Sequence, residues 1–131
     1  MKIFKILFVN FLLTENTKIS YIYLQPSIGL MNKIIHSVDL TKIYGEKETS
    51  VTALDNINVE FKENEFTAIM GPSGSGKSTL LHCLAGLDRP TSGQIFLKEE
   101  DISTLNDKQL TKIRRDSFGF VFQAFNLIPT L

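Results

Sequence analysis

The 131-residue chain is long enough for one domain of ordinary size and hardly for two. Its 43% hydrophobic and 21% charged residues are typical of a globular protein and exclude a disordered or collagen-like one. The 14 basic and 14 acidic side chains balance, so the net charge gives no argument for a nucleic-acid partner. The single cysteine, Cys83, excludes an internal disulfide and a cysteine-built zinc site.

The first 30 residues differ in pattern from the rest. Ile3–Leu13 is almost wholly apolar but shorter than the roughly 20 residues that span a membrane. Basic residues precede it, as in a secretory signal, yet no small residues suited to cleavage follow. We favour translation from Met31, with residues 1–30 as an upstream extension; a membrane-surface segment and a true signal are the alternatives. The domain is then expected over residues 31–131.

From Ile34 onward, short apolar runs alternate with turns and then with helical spacing. The pattern predicts strands over Ile34–Leu40, Val51–Phe61, Phe66–Met70, Gln94–Leu97 and Phe118–Phe122. It predicts a helix from Lys77 to about Gly86, where Leu80, Leu81, Leu84 and Leu87 recur at helical spacing, and a second helix over Asn106–Arg115, with Leu110 and Ile113 inward. Asn64 lies in a polar turn and accepts the positive φ that such a turn needs. This order of strands and helices favours an α/β fold.

A glycine-rich loop follows the predicted strand Phe66–Met70. Gly71–Ser78 fits G-x-x-x-x-G-K-[ST] at every fixed position. Glycines let successive backbone N–H groups converge on one point, and the start of the following helix favours an anion there. The pattern predicts a nucleotide-phosphate site formed by Gly71, Pro72, Ser73, Gly74, Ser75, Gly76, Lys77, Ser78 and Thr79.

Three side chains at the end of this loop have predicted roles. Lys77 would reach the β- and γ-phosphates, the Ser78 hydroxyl would ligate Mg²⁺, and Thr79 would bond a phosphate nearer the sugar. Guanine is disfavoured as the base, because a GTPase would need an N-K-x-D motif to recognise it. The most similar stretch, Asn32–Ile35, lacks the aspartate and precedes the loop. The histidines His36 and His82 are single and far apart, so we expect structural roles for them rather than metal binding.

Several further stretches resemble the ATP-binding subunits of ABC transporters, especially those that serve lipoprotein release and macrolide or antimicrobial-peptide export. The likeness covers about three quarters of the chain, from Met31, and is carried by Thr41–Gly45, Val51–Ile57, Leu84–Gly93 and Phe118–Gln123. The resemblance implies an α/β P-loop NTPase of ABC-ATPase type, truncated, with an N-terminal antiparallel β portion. It implies ATP and Mg²⁺ as ligands.

The resemblance also implies residue roles and partners. Tyr44 matches the aromatic that stacks on adenine, and Gln123 matches the glutamine that reaches Mg²⁺ and the attacking water and acts with Lys77 in catalysis. Ala124–Leu131 would begin the surface that docks a membrane subunit or domain. A second ATPase subunit would complete a dimer, peripheral at the cytoplasmic face of the membrane.

Other motifs of that family are not found. No apolar run ending in Asp-Glu follows the loop, and neither a Ser-Gly-Gly-Gln signature nor a later switch histidine occurs. We therefore expect a fragment of an export ATPase with very weak or absent hydrolysis. The alternative is a naturally short module that binds nucleotide without hydrolysing it and docks on a membrane partner. Missing sheet strands would leave an apolar edge of Phe66–Met70 bare.

Overall fold

The computed structural model describes residues 4–5, 20–23 and 33–120. Its strands are β1 (Phe4–Lys5), β2 (Ser20–Tyr23), β3 (Lys33–Tyr44), β4 (Val51–Lys62), β5 (Thr67–Met70), β6 (Ser92–Leu97), β7 (Glu100–Asp101) and β8 (Phe118–Gly119). The α-helices are α1 (Lys77–Leu84) and α2 (Asp107–Ser117), and short 3-10 helices lie at Lys47–Thr49 and Ile102–Thr104.

The largest sheet is antiparallel and has the strand order β4-β3-β6-β7. Apolar residues of β3 and β4 alternate with polar ones, and Ile35, Leu40, Leu54 and Phe61 are buried from these two strands. The pairing of β3 with β4 is interrupted by bulges. Both strands were predicted, but each is longer than its apolar run, because backbone pairing continues into the polar residues next to it.

The strand before the glycine-rich loop is paired in a way that the sequence did not predict. Ser20–Tyr23 runs antiparallel to Thr67–Met70, with Ser20 opposite Met70 and Tyr23 opposite Thr67. The expected bare edge is therefore wrong for one side of β5, because backbone groups of the N-terminal segment pair with it. The predicted strand Phe118–Phe122 is also shorter within the described residues: β8 ends at Gly119 and pairs in parallel with β1.

Helix α1 lies against the antiparallel sheet and shares its core. Leu80, Leu81, Cys83 and Leu84 are buried, and Cys83 packs among the leucines as a small apolar side chain. The helix ends two residues before Gly86, whose N–H donates to the Cys83 carbonyl at 3.0 Å. Leu87 lies beyond the end of the helix and is 42% exposed, although the leucine spacing of the sequence continues to it.

Helix α2 begins with reciprocal hydrogen bonds between Asn106 and Gln109. The Asn106 side chain accepts from the Gln109 N–H at 2.9 Å, and the Gln109 side chain accepts from the Asn106 N–H at 3.0 Å. Leu110 faces the core, as the helical spacing predicted. In the part of the chain that the structure describes, no helix is long and apolar enough to cross a membrane.

The buried core joins these layers. Its members come from the antiparallel sheet, α1, the 3-10 helix at Ile102 and α2: Ile35, Leu40, Leu54, Phe61, Leu80, Cys83, Leu84, Ile95, Ile102 and Leu110. Burying large apolar side chains contributes about 1.5–3 kcal/mol each. This shared core fixes α1, and with it the end of the glycine-rich loop, on the β3–β4 hairpin.

Candidate functional site

The glycine-rich loop makes one tight turn between β5 and α1. The N–H of Ser75 donates to the carbonyl of Pro72 at 3.2 Å. Gly74 and Gly76 have φ angles of +79° and +91°, which L-residues with a Cβ atom rarely adopt. The first helical hydrogen bond follows at once, from the Leu80 N–H to the Gly76 carbonyl at 2.8 Å. The N-terminus of α1 therefore starts directly at the end of the loop.

Gly76 lies against the backbone of β4. A Cβ atom at this position would lie 2.5 Å from the Ala53 carbonyl oxygen and 3.2 Å from Cδ2 of Leu54. At Gly74, by contrast, nothing lies within 4 Å of such an atom. The loop thus packs on the hairpin at Gly76, and it is open at Gly74.

The ammonium group of Lys77 points back into the loop. Its Nζ donates to the carbonyl oxygens of Gly71 and Pro72, each at 2.7 Å, and lies 3.4 Å from Oγ of Ser75. Lys77 is the first residue of α1, so this positive charge stands beside the positive end of the helix dipole. The arrangement concentrates positive potential at the loop.

The donors at this loop fit a phosphate group. They are backbone N–H groups at the start of α1, the Lys77 ammonium group and the hydroxyls of Ser75, Ser78 and Thr79. Gly71–Thr79 contains no carboxylate that would repel an anion. Among the described residues, no group of three or more His, Cys, Asp and Glu side chains could hold a metal ion.

Tyr44, the predicted adenine contact, lies at the end of β3 and is 41% exposed. Its hydroxyl donates to Oδ2 of Asp88 at 2.7 Å. The Nζ of Lys42 lies 4.8 Å from the centroid of the Tyr44 ring and also donates to Oδ1 of Asp88 at 2.8 Å. The side chain of Thr79 lies near the Tyr44 hydroxyl and works to lower the pKa of that hydroxyl. The structure thus brings Tyr44 next to the helix that carries the loop.

The charges of this cluster are stable at neutral pH. Partial burial works to raise the pKa of Asp88, but the hydrogen bonds from Lys42 and Tyr44 outweigh it and hold that pKa below its ordinary value. Burial likewise works to lower the pKa of Lys42, and the Asp88 carboxylate reverses this and raises it. The hydrogen bond to Asp88, with partial burial, raises the pKa of Tyr44. Tyr44 therefore keeps its proton as a donor.

Gln123 and Ala124–Leu131, to which the sequence assigned metal binding, catalysis and docking, lie outside the described residues. Sequence reasoning missed the roles of Lys42 and Asp88, although both lie in stretches that carry the family resemblance. The strand period offered a signal, because Lys42 and Tyr44 are two residues apart and so share a face of β3.

A family model described as ABC transporter matches residues 54–131. An uncharacterized ABC transporter ATP-binding protein of Methanocaldococcus jannaschii, MJ0796, is 53% identical over 93 residues, which are 71% of this chain and 40% of that protein. The macrolide export ATP-binding/permease protein MacB of Marinobacter nauticus is 48% identical over 96 residues, 73% of this chain and 15% of its own length.

Solved structures give the same picture. The dimeric post-hydrolysis structure of the MJ0796 ATP-binding cassette with ADP and Pi superposes with a TM-score of 0.70 at 50% identity, over 74% of this chain and 42% of that one. The chain thus spans about two fifths of the length of such cassettes. The predicted α/β P-loop fold of ABC-ATPase type, with an N-terminal antiparallel portion, is confirmed.

Proposed function

The chain belongs to the ABC transporter family, and on that premise we propose that residues 31–131 bind Mg·ATP as the N-terminal part of a transporter ATPase. The observation that carries the proposal is the loop Gly71–Thr79 at the start of α1, with the Lys77 ammonium group held 2.7 Å from two of its carbonyl oxygens. A strong anion that enters this loop would meet converging donors and a preorganised cation.

The roles proposed for the residues follow from their chemistry. Backbone N–H groups of Gly71–Gly76 and of the first turn of α1 would hold the phosphates. Lys77 would exchange its bonds to the loop carbonyls for bonds to the β- and γ-phosphates, which carry more negative charge. Thr79 would bond a phosphate nearer the sugar, and the Tyr44 ring would take the adenine base.

Magnesium would complete the site through oxygen ligands. We propose the Ser78 hydroxyl and the Gln123 side-chain oxygen as its protein ligands, in keeping with the hard oxygen donors that this ion prefers. When bound, the ion neutralises charge on the phosphates. Gln123 and Lys77 are the proposed catalytic residues, but residues 1–131 contain no Asp-Glu ending an apolar run. We therefore expect these residues to bind nucleotide without measurable hydrolysis by themselves.

The wider assembly is also a proposal. The similar MJ0796 cassette was solved as a dimer, and MacB is named as an ATP-binding/permease protein. These likenesses support a second cassette and a membrane subunit or domain as partners, at the cytoplasmic face of the membrane, and an export or membrane-substrate release role. Ala124–Leu131 is the segment that we propose for contact with the membrane partner.

Equilibrium binding of Mg·ATP tests the proposed nucleotide site. Lys77→Ala removes the ammonium group and should weaken binding by at least about tenfold, since hydrogen bonds to charged groups contribute about 1.5–3 kcal/mol. Lys98→Ala is the matched control, because Lys98 is an exposed lysine whose Nζ lies 3.9 Å from Glu63. Lys98→Ala should bind as the parent does. Equal affinities of Lys77→Ala and the parent would exclude the site.

A further inference from the structure

The Tyr44 ring is held at its hydroxyl and on one face by neighbouring groups. Its hydroxyl is fixed on Oδ2 of Asp88, and one face of the ring lies under the Lys42 ammonium group, 4.8 Å from the ring centroid. Lys42 is itself anchored by Oδ1 of Asp88 at 2.8 Å and by the Arg89 carbonyl at 2.7 Å. Asp88 therefore acts on the aromatic ring twice: directly at the hydroxyl, and at one face through Lys42.

The carboxylate of Asp88 is linked to the glycine-rich loop through helix α1. Helix α1 begins at Lys77, and the N–H groups of Leu87 and Asp88 both donate to the carbonyl of His82 in its last turn, at 2.8 and 3.2 Å. The loop thus lies at one end of α1 and Asp88 at the other. A bond from Tyr44 to Asp88 sets the position of the ring relative to the loop.

Lys42 and Asp88 form a shielded ion pair rather than a solvated one. Their side chains are 13% and 32% exposed, and the Tyr44 ring covers the ammonium group. An ion pair that is largely removed from solvent holds its geometry better than an exposed pair, because water and salt weaken the exposed one. The pair is therefore suited to fix an aromatic side chain that would otherwise rotate about two side-chain torsions.

We propose that Asp88 and Lys42 are positioning residues that hold the Tyr44 ring for stacking on the base of a nucleotide, and so set the preference for ATP over a triphosphate without a base. This rests on the proposed nucleotide site. The ammonium group occupies one face of the ring, so the base takes the opposite face. Tyr44 is two fifths exposed and so has surface available for a base.

The test compares the affinities of Mg·ATP and of magnesium tripolyphosphate, which has the phosphates without sugar or base. Tyr44→Ala should lose about 5- to 150-fold in ATP affinity, the factor that corresponds to about 1–3 kcal/mol for base–aromatic stacking. Asp88→Ala, Lys42→Met and Tyr44→Phe keep the ring and should each lose about 3- to 10-fold for ATP, with tripolyphosphate affinity unchanged. Tyr44→Phe removes only the hydroxyl and keeps the test independent of folding defects.

Arg89→Gln is the matched control. It breaks the ion pair between Arg89 and Asp107, which has the same 2.8 Å length, and leaves the Tyr44 cluster intact. It should bind both ligands as the parent does. If Asp88→Ala and Tyr44→Phe keep the parent's ratio of the two affinities while Tyr44→Ala loses it, the positioning role is overturned and the nucleotide site stands. If the parent binds neither ligand, the nucleotide site itself fails and the positioning role with it.

Discussion

Gly76 faces the carbonyl oxygen of Ala53 so closely that a Cβ atom would lie 2.5 Å from it. This contact joins the glycine-rich loop to Ala53 in strand β4, more than twenty residues earlier in the chain than Gly76. Because the oxygen belongs to the backbone of a paired strand, it cannot move aside cheaply. Glycine is therefore required at position 76 for two reasons: its positive φ angle and its close packing against β4.

Gly76→Ala should destabilise the protein far more than Gly74→Ala. Both residues have positive φ, which costs an L-residue about 1–2 kcal/mol, but only Gly76 adds a clash with backbone. We expect a loss of about 1 kcal/mol for Gly74→Ala and at least about 3 kcal/mol for Gly76→Ala. Urea denaturation followed by circular dichroism measures both. Equal losses would contradict the close approach to Ala53.

Asn106→Ala should lower the free energy of unfolding by about 1 kcal/mol, because it removes the side-chain acceptor for the Gln109 N–H at the start of α2. Lys108→Ala, an exposed change in the same helix, is the control and should shift stability by less than about 0.5 kcal/mol. Both changes in the free energy of unfolding are obtained from the midpoints of urea unfolding curves whose dependence on urea concentration has the same slope. If Asn106→Ala and Lys108→Ala changed the free energy of unfolding equally, the Asn106 cap would not stabilise the protein.

Asp101 should make stability depend on acid pH. Burial works to raise its pKa, but hydrogen bonds from Ser103 and Gln94 outweigh burial and hold the pKa below its ordinary value of 3.8. A carboxyl group whose pKa is lower in the folded state stabilises the protein above its unfolded pKa, and this contribution disappears as pH falls through the folded pKa. Asp101→Asn should cost about 1 kcal/mol at pH 7, with the deficit shrinking below about pH 4.

Ser103→Ala separates that acid effect from a general loss of packing. It removes the hydroxyl donor to Asp101, so the pKa of Asp101 should rise towards its ordinary value and stability should fall less steeply in acid. Thermal unfolding between pH 2 and pH 7 measures the slopes of the parent and both variants. A deficit for Asp101→Asn that stays constant over this range would disprove the assignment.

Cys83 should react slowly with thiol reagents in the folded protein. Its side chain is fully buried, and burial, helped by the negative charge of Asp88, raises the pKa of its thiol to about 11. At pH 8 the thiolate, which is the reacting form, would be only about one part in a thousand. We expect the thiol of the folded protein to be modified at least a hundredfold more slowly than that of the protein unfolded in about 8 M urea. The rate is measured with an aromatic disulfide reagent, from the absorbance of the aromatic thiol that it releases. Comparable rates would show that Cys83 is accessible.

The sequence was sufficient for the loop and for most strands and helices, because these depend on neighbouring residues. Gly71–Ser78 is contiguous, and alternation along β3 and β4 reports which face is buried. Asn64 adopts the positive φ expected of it, at +59°. The ends of elements were less predictable: α1 stops at Leu84, where Gly86 can close the helix, although the leucine spacing continues to Leu87.

Long-range contacts could not be predicted from the pattern. Tyr44 and Asp88 are 44 residues apart, and nothing local to either residue indicates that a hydrogen bond joins them. The pairing of β2 with β5 likewise depends on backbone groups, which every residue except proline offers. The roles of Tyr44 and Gln123 came from the family resemblance, and both stay predictions.

The contact between Gly76 and Ala53 limits how this loop could be transplanted. A synthetic peptide of residues 66–88 would contain the whole glycine-rich sequence, but not the β4 carbonyl against which Gly76 packs or the tyrosine that bonds to Asp88. Engineers who graft the loop into an unrelated scaffold would need to bring the β3–β4 hairpin with it. The portable unit of the proposed nucleotide site is a hairpin, a loop and a helix together.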